Sequence, residues 1–160
     1  MPSAALATTG SVLTATEYNY LPRGVLGYES LTTSFATSAT HTTFQDEGLN
    51  AVCTYAANRV LKVTLNVRPY PNGGLQAVYY RVLRGSTEVA KWVVESAVLS
   101  AGTAGAFTLW SVFAGPSSGA TEDFKVQIAA ASANTQVTSY ANTIAVDGPR
   151  TFVVEDLGSQ

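Results

Sequence analysis

Polar and apolar residues alternate with a period of two along most of this chain. The clearest case is residues 61–68, where Leu61, Val63, Leu65 and Val67 share one face while Lys62, Thr64, Asn66 and Arg68 share the other. That is the pattern of a strand with one buried and one wet side. Phe124, Val126, Ile128 and Ala130 alternate with Asp123, Lys125 and Gln127 in the same way. Residues 151–157 make a further strand close to the end of the chain, which reads as structure that completes a sheet and not as tail. The same reasoning predicts strands over 25–34, 42–45, 49–56, 75–83, 88–99, 107–114 and 138–146, the last interrupted near Asn142. Turns fall at Asp46-Glu47-Gly48, Ala57-Asn58 and Gly85-Ser86, and the prolines and glycines of residues 69–74 are expected to reverse the chain.

Some nine or ten short strands, with turn signals every eight to twelve residues and no long helix, predict an all-β fold. The architecture expected is an antiparallel β-sandwich of jelly-roll type, with an up-and-down barrel as the alternative that alternation alone does not separate. Residues 75–83 differ from the other strands. Ala77 and Tyr79 lie on one face and Val78, Tyr80 and Val82 on the other, so both faces want cover and self-association, as a homotrimer, is expected.

Residues 1–22 stand apart from residues 23–160. Thr14 and Glu17 have the spacing of a capping box, and Pro22 ends any helix at Leu21, leaving one to two turns that carry Tyr18 and Tyr20. Such a helix is too short to be stable alone. The segment therefore reads as an arm that docks on a partner, through Leu13, Thr14, Glu17, Tyr18 and Tyr20.

Composition narrows the function. Only 12% of the 160 residues are charged and the formal net charge is −2, against about 25% charged in an average globular protein. No basic field is present for nucleic acid or an anionic membrane. No apolar run is long enough to span a bilayer, and residues 1–13 lack the pattern of a signal peptide, so synthesis in the cytoplasm is expected. A surface built from Ser, Thr, Asn, Gln and Gly repels copies of itself weakly. Cys53, the one cysteine, reads as a buried small hydrophobe. His41, the one histidine, has no nucleophile elbow to serve and too few companions for zinc. The carboxylate pairs Asp46-Glu47, Glu122-Asp123 and Glu155-Asp156 lack the spacing of a calcium loop and read as solvated turn charges. No catalytic residue, cofactor or metal is expected.

Three segments carry a resemblance: Val12-Leu13-Thr14-Ala15-Thr16-Glu17-Tyr18-Asn19, Leu21-Pro22-Arg23-Gly24-Val25-Leu26-Gly27-Tyr28, and Phe152-Val153-Val154-Glu155-Asp156-Leu157-Gly158. With the strands at residues 58–64 and 124–128, they resemble small virion surface proteins of phages infecting actinobacteria, of the minor tail, head-fibre or decoration type. Tyr18 stands where that family often has Trp, and Leu157 where it often has Ile; both changes are conservative. The resemblance implies a non-enzymatic structural protein of the virion with a β-sandwich knob that commonly forms trimers. About twenty residues before the first strand are too few for a fibre shaft, which favours decoration. Tyr79, Tyr80, Trp92 and Trp110 are the candidate subunit interface. The alternative is a carbohydrate-binding module in which these rings form a platform for host surface glycan. A secreted sandwich domain is a third reading.

Overall fold

The computed structural model describes residues 21–37, 43–71, 77–95, 105–131, 136–141 and 148–160. These hold eleven strands: β1 (Gly24–Leu31), β2 (Phe35–Ala36), β3 (Gln45–Tyr55), β4 (Arg59–Val67), β5 (Pro69–Pro71), β6 (Val78–Arg84), β7 (Thr87–Val94), β8 (Phe107–Ala114), β9 (Ala120–Ala130), β10 (Val137–Ser139) and β11 (Arg150–Ser159). No helix occurs among the described residues. The arm and its short helix, expected at residues 1–22, lie almost wholly outside them, and so do Leu13, Thr14, Glu17, Tyr18, Tyr20 and His41.

Two four-stranded sheets, ordered β1-β11-β4-β8 and β3-β9-β6-β7, form the body, and β2-β10-β5 make a third, three-stranded sheet. Every pairing is antiparallel. Setting aside the short β2, β5 and β10, the remaining eight strands pair first with last: β1 with β11, β3 with β9, β4 with β8 and β6 with β7. The chain is thus one long hairpin rolled into two facing sheets, which is jelly-roll topology. β11, read from sequence as completing a sheet, sits between β1 and β4.

Alternation sets the core. Leu61, Val63, Leu65, Val67, Phe152 and Val154 from one sheet meet Leu49, Cys53, Tyr55, Tyr80, Val82, Phe124, Val126 and Ile128 from the other, and all are buried. The sheets come closest where β1 crosses β3. A Cβ on Gly27 would lie 2.5 Å from Cys53 Sγ and 2.9 Å from the Ala51 Cβ, so only glycine lets β1 settle there. Burial pushes the Cys53 thiol up to about 11, with the nearby Asp123 adding to the effect, which leaves it unreactive at neutral pH.

Two sequence expectations fail on local chemistry that has more than one structural use. Asp46-Glu47-Gly48 is not a turn between two strands. β3 runs through it, and the register jumps from Asp46↔Gln127 to Asn50↔Lys125, so extra residues are looped into one strand as a bulge with Gly48 at φ 89°. Residues 69–71 are likewise a strand and not part of a turn. Their prolines are tolerated because β5, among the described residues, lies at the edge of its sheet and pairs with β10 alone.

Candidate assembly face

The two outer faces of the sandwich differ in kind. On the β3-β9-β6-β7 sheet, polar groups satisfy one another: Arg81 Nε donates to Gln127 Oε1 at 2.8 Å and Gln127 Nε2 to Asp46 Oδ1 at 2.5 Å. Arg81 also pairs with Glu88 at 3.4 Å and Lys125 with Asp123 at 3.2 Å, and Arg81 lies 4.1 Å above the Phe44 ring. Val52 and Val93 are the large apolar residues exposed there. This face is suited to water.

The β1-β11-β4-β8 sheet is different. Cross-strand register aligns three outward rows. The first is Val25, Glu155, Lys62 and Val112; the second is Tyr28, Val153, Thr64 and Trp110; the third is Ser30, Thr151, Asn66 and Thr108. Exposure reaches 61% for Val25, 59% for Tyr28, 61% for Trp110 and 46% for Val112. The charges in these rows are Lys62 and Glu155, which pair with each other at 3.0 Å. The third row is a ladder in which Asn66 Nδ2 donates to Thr151 Oγ1 at 2.8 Å and Thr108 donates to Asn66 Oδ1 at 2.7 Å. Aromatic and valine side chains stand exposed at both edges of the sheet, with Val153, Thr64 and the Lys62–Glu155 pair between them.

The four aromatics expected to act together are dispersed. Tyr80 is fully buried in the core and offers nothing to a neighbour, a correction to its place in the candidate interface. Trp92 points inward from β7 and donates its indole N–H to the Trp110 carbonyl at 3.1 Å, closing the seam between the two sheets. Tyr79 pairs with Val93 and Ala129 on the outer face of its sheet, while Trp110 projects from the other sheet. Period two tells which residues of one strand share a face; it is silent on which sheet that strand joins. β6 buries Val78, Tyr80 and Val82 on its inner face, while Tyr79, Arg81 and Leu83 on the other are half-covered. The exposed Val25, Tyr28 and Val112, which complete the patch with Trp110, were not singled out from sequence.

One member of each carboxylate pair, Glu47, Glu122 and Asp156, is not a solvated turn charge. Asp156 is buried and takes Arg59 Nε on both oxygens, at 3.0 and 2.9 Å, with Arg59 Nη2 at 2.8 Å from Oδ1. The Gly158 N–H also donates to Asp156, and Arg59 Nη2 reaches the Leu21 carbonyl at 2.5 Å. At the other end of β11, Arg150 donates to Glu47 Oε1 at 2.9 Å, to the Glu47 carbonyl at 3.1 Å and to the Thr33 carbonyl at 2.7 Å. This second pair fastens the β3 bulge to β11 across the sandwich. Glu122, half-buried, accepts from Tyr55 and pairs with Arg84 at 3.2 Å.

Burial pushes the Glu47 carboxyl up from 4.5; Arg150 and the Ser139 hydroxyl oppose the shift without cancelling it. Its Oε2 has no well-formed hydrogen bond, and the phenol of Tyr80, raised by burial and then by Glu47, faces the same spot. A carboxyl whose folded value exceeds its unfolded one adds stability below pH 4.5 and loses that contribution as pH rises through the raised value. Glu47→Gln is therefore expected to flatten the decline in stability as pH rises above 4.5; urea midpoints that fall in parallel with the wild type over that rise would show that Glu47 is not its source.

Little else suggests chemistry. Among the described residues no cluster of three His, Cys, Asp or Glu side chains could hold a metal ion. A cleft of about 170 Å³ lined by Val67, Arg68, Phe107, Tyr140 and Arg150 is smaller than the roughly 300–1,000 Å³ of ordinary small-molecule sites.

No family model and no curated protein matches the chain. Among solved structures, it is similar to the T=1 particles derived from infectious bursal virus, with TM-score 0.55 and 12% identity over 100% of this chain and 41% of that one. It is similar also to the infectious bursal disease virus Gx strain structure, with TM-score 0.50 and 11% identity over 87% and 37%. The VP2 subviral particle of that virus gives 0.48 and 12% over 86% and 38%. The chain spans between 37% and 41% of the length of these proteins, and at such identity the likeness of the first two establishes a shared fold.

Proposed function

We propose that this chain is a structural protein of a virion, a capsid decoration or minor tail subunit that works by assembly and not by catalysis. The carrying observation is the asymmetry of its surface: one sheet face is charged and self-satisfied, and the other exposes Val25, Tyr28, Trp110 and Val112 at its edges around a single Lys62–Glu155 pair. The jelly roll shared with the bursal disease virus particles supports the reading, as do the sparse charge and the resemblance to actinobacterial phage surface proteins. Copies associate with one another, as trimers on the family pattern, and residues 1–22 attach the sandwich to shell or tail. A glycan platform of Tyr79, Tyr80, Trp92 and Trp110 has no geometric support, since the four rings do not share a surface.

The test is incorporation. The chain is expected in purified phage particles at stoichiometric occupancy, and its absence would sink the proposal. Deleting residues 1–20 is expected to leave the melting temperature of the purified domain nearly unchanged while abolishing incorporation. Normal occupancy of the truncated protein would move attachment onto the sandwich itself.

A further inference from the structure

The apolar face has a symmetry in its chemistry that names its occupant. Along each row the four strands run β1, β11, β4, β8, with about 14 Å between the outer two. Let a second copy face the first, related by a two-fold axis that runs along the strands between β11 and β4. Row position is kept and strand order is reversed, so β1 of one copy lies over β8 of the other and β11 lies over β4. Glu155 then opposes Lys62 of the second copy, and Lys62 opposes its Glu155. Tyr28 meets Trp110, Val25 meets Val112, Val153 meets Thr64 and Thr151 meets Asn66, each twice. Every charge faces its opposite and each edge aromatic faces another across the low centre.

The other two-fold in the plane runs across the strands. It stacks the first row on the third, setting Glu155 against Thr151 and Lys62 against Asn66, and leaves each charge its own-chain partner but no counter-charge on the second copy. Complementarity therefore selects the first axis. Facing sheets in sandwiches pack with strands aligned to within about 30°, which the twist of each sheet accommodates. A contact of this kind is isologous and closed.

We infer that the β1-β11-β4-β8 face is the docking site for a second copy of this chain, packed face to face about a two-fold axis parallel to the strands. The inference rests on the assembly reading above and specifies its contact; if the chain forms trimers, this contact joins one trimer to the next.

Charge exchange tests it. Lys62 and Glu155 are about one-third exposed, with 32% and 29% of their side chains accessible, so substitution at either leaves the fold intact. Lys62→Glu places four carboxylates at the contact and Glu155→Lys four ammonium groups; each variant alone is expected to lose the face-to-face contact. An equimolar mixture restores every opposite-charge pair, and sedimentation velocity is expected to show a species of twice the mass of either variant alone. Cysteines at the edges give a second readout. Val25→Cys and Val112→Cys proteins are expected to form a disulfide-linked dimer on mixing under oxidation and not separately, with the buried Cys53 taking no part.

A mixture whose mass does not change, or crosslinks that form equally well with one variant alone, would overturn the inference. Tyr28 and Trp110 protected from oxidation in particles but not in the free protein, without mixed crosslinks, would assign the face to a different virion protein. Protection in the free monomer, lost on deleting residues 1–20, would assign it to the arm. The charge-exchange and crosslinking assays use free protein, so their failure leaves the presence of the chain in particles, scored separately, unaffected.

Discussion

Asp156→Ala is expected to destabilise the protein by about 3 to 5 kcal/mol, the range for breaking a buried ion pair by removing one partner. The side chains of Arg59 and Asp156 are 1% and 0% exposed, so the orphaned guanidinium cannot recover its hydration without opening the end of the sheet. The carboxylate also holds the Gly158 N–H, at the point where the β11 register shifts, and that donor is stranded by the same change. Urea unfolding checks the value. The double variant Arg59→Met, Asp156→Leu is expected to be less damaging than Asp156→Ala alone, because it leaves no buried charge behind. A single-variant loss below about 1 kcal/mol would mean that water reaches the pair and that it behaves as a surface bridge.

Leu65→Ala is expected to cost about 2 to 5 kcal/mol. Leu65 is fully buried, paired with Phe152 on β11 and Leu109 on β8, and faces the opposite sheet from the middle of β4. Nothing nearby can collapse into the space without disturbing two strands. Its neighbour Thr64 points outward, and its hydroxyl has no hydrogen-bond partner to strand. Thr64→Ala is therefore expected to cost under about 0.5 kcal/mol. Similar shifts of the urea midpoint for the two variants would show the faces of β4 to be reversed.

The face assignment of β4, β9 and β11 was legible in the sequence because a strand in a two-layer fold records its environment in a period of two. Leu61, Val63 and Leu65 needed no partner to be read as core. What alternation does not record is the identity of neighbours. Glu47 and Arg150 are 103 residues apart, and Arg59 and Asp156 are 97 apart; each residue alone resembles an ordinary surface charge. Gly48 is equally serviceable in a turn and in a bulge, so β3 reads as two strands. The assembly face was hidden for the same reason. Val25, Tyr28 and Val112 are ordinary strand residues until pairing sets them with Trp110 in adjoining rows.

The rolled hairpin also constrains how the chain is made. Among the described residues β1 has one strand neighbour, β11, and Leu31 is separated from its partner Arg150 by roughly 120 residues. At translation rates of about 5 to 20 residues per second, β1 is finished some 6 to 24 s before the strand that must pair with it exists. Throughout that interval its backbone donors and acceptors, together with Val25 and Tyr28, are open to a β1 emerging from another ribosome on the same message. The β6–β7 hairpin, whose strands are joined by two residues, has no such wait. Synthesis in quantity therefore meets its hazard at the first strand, where crowding of nascent chains favours the wrong partner.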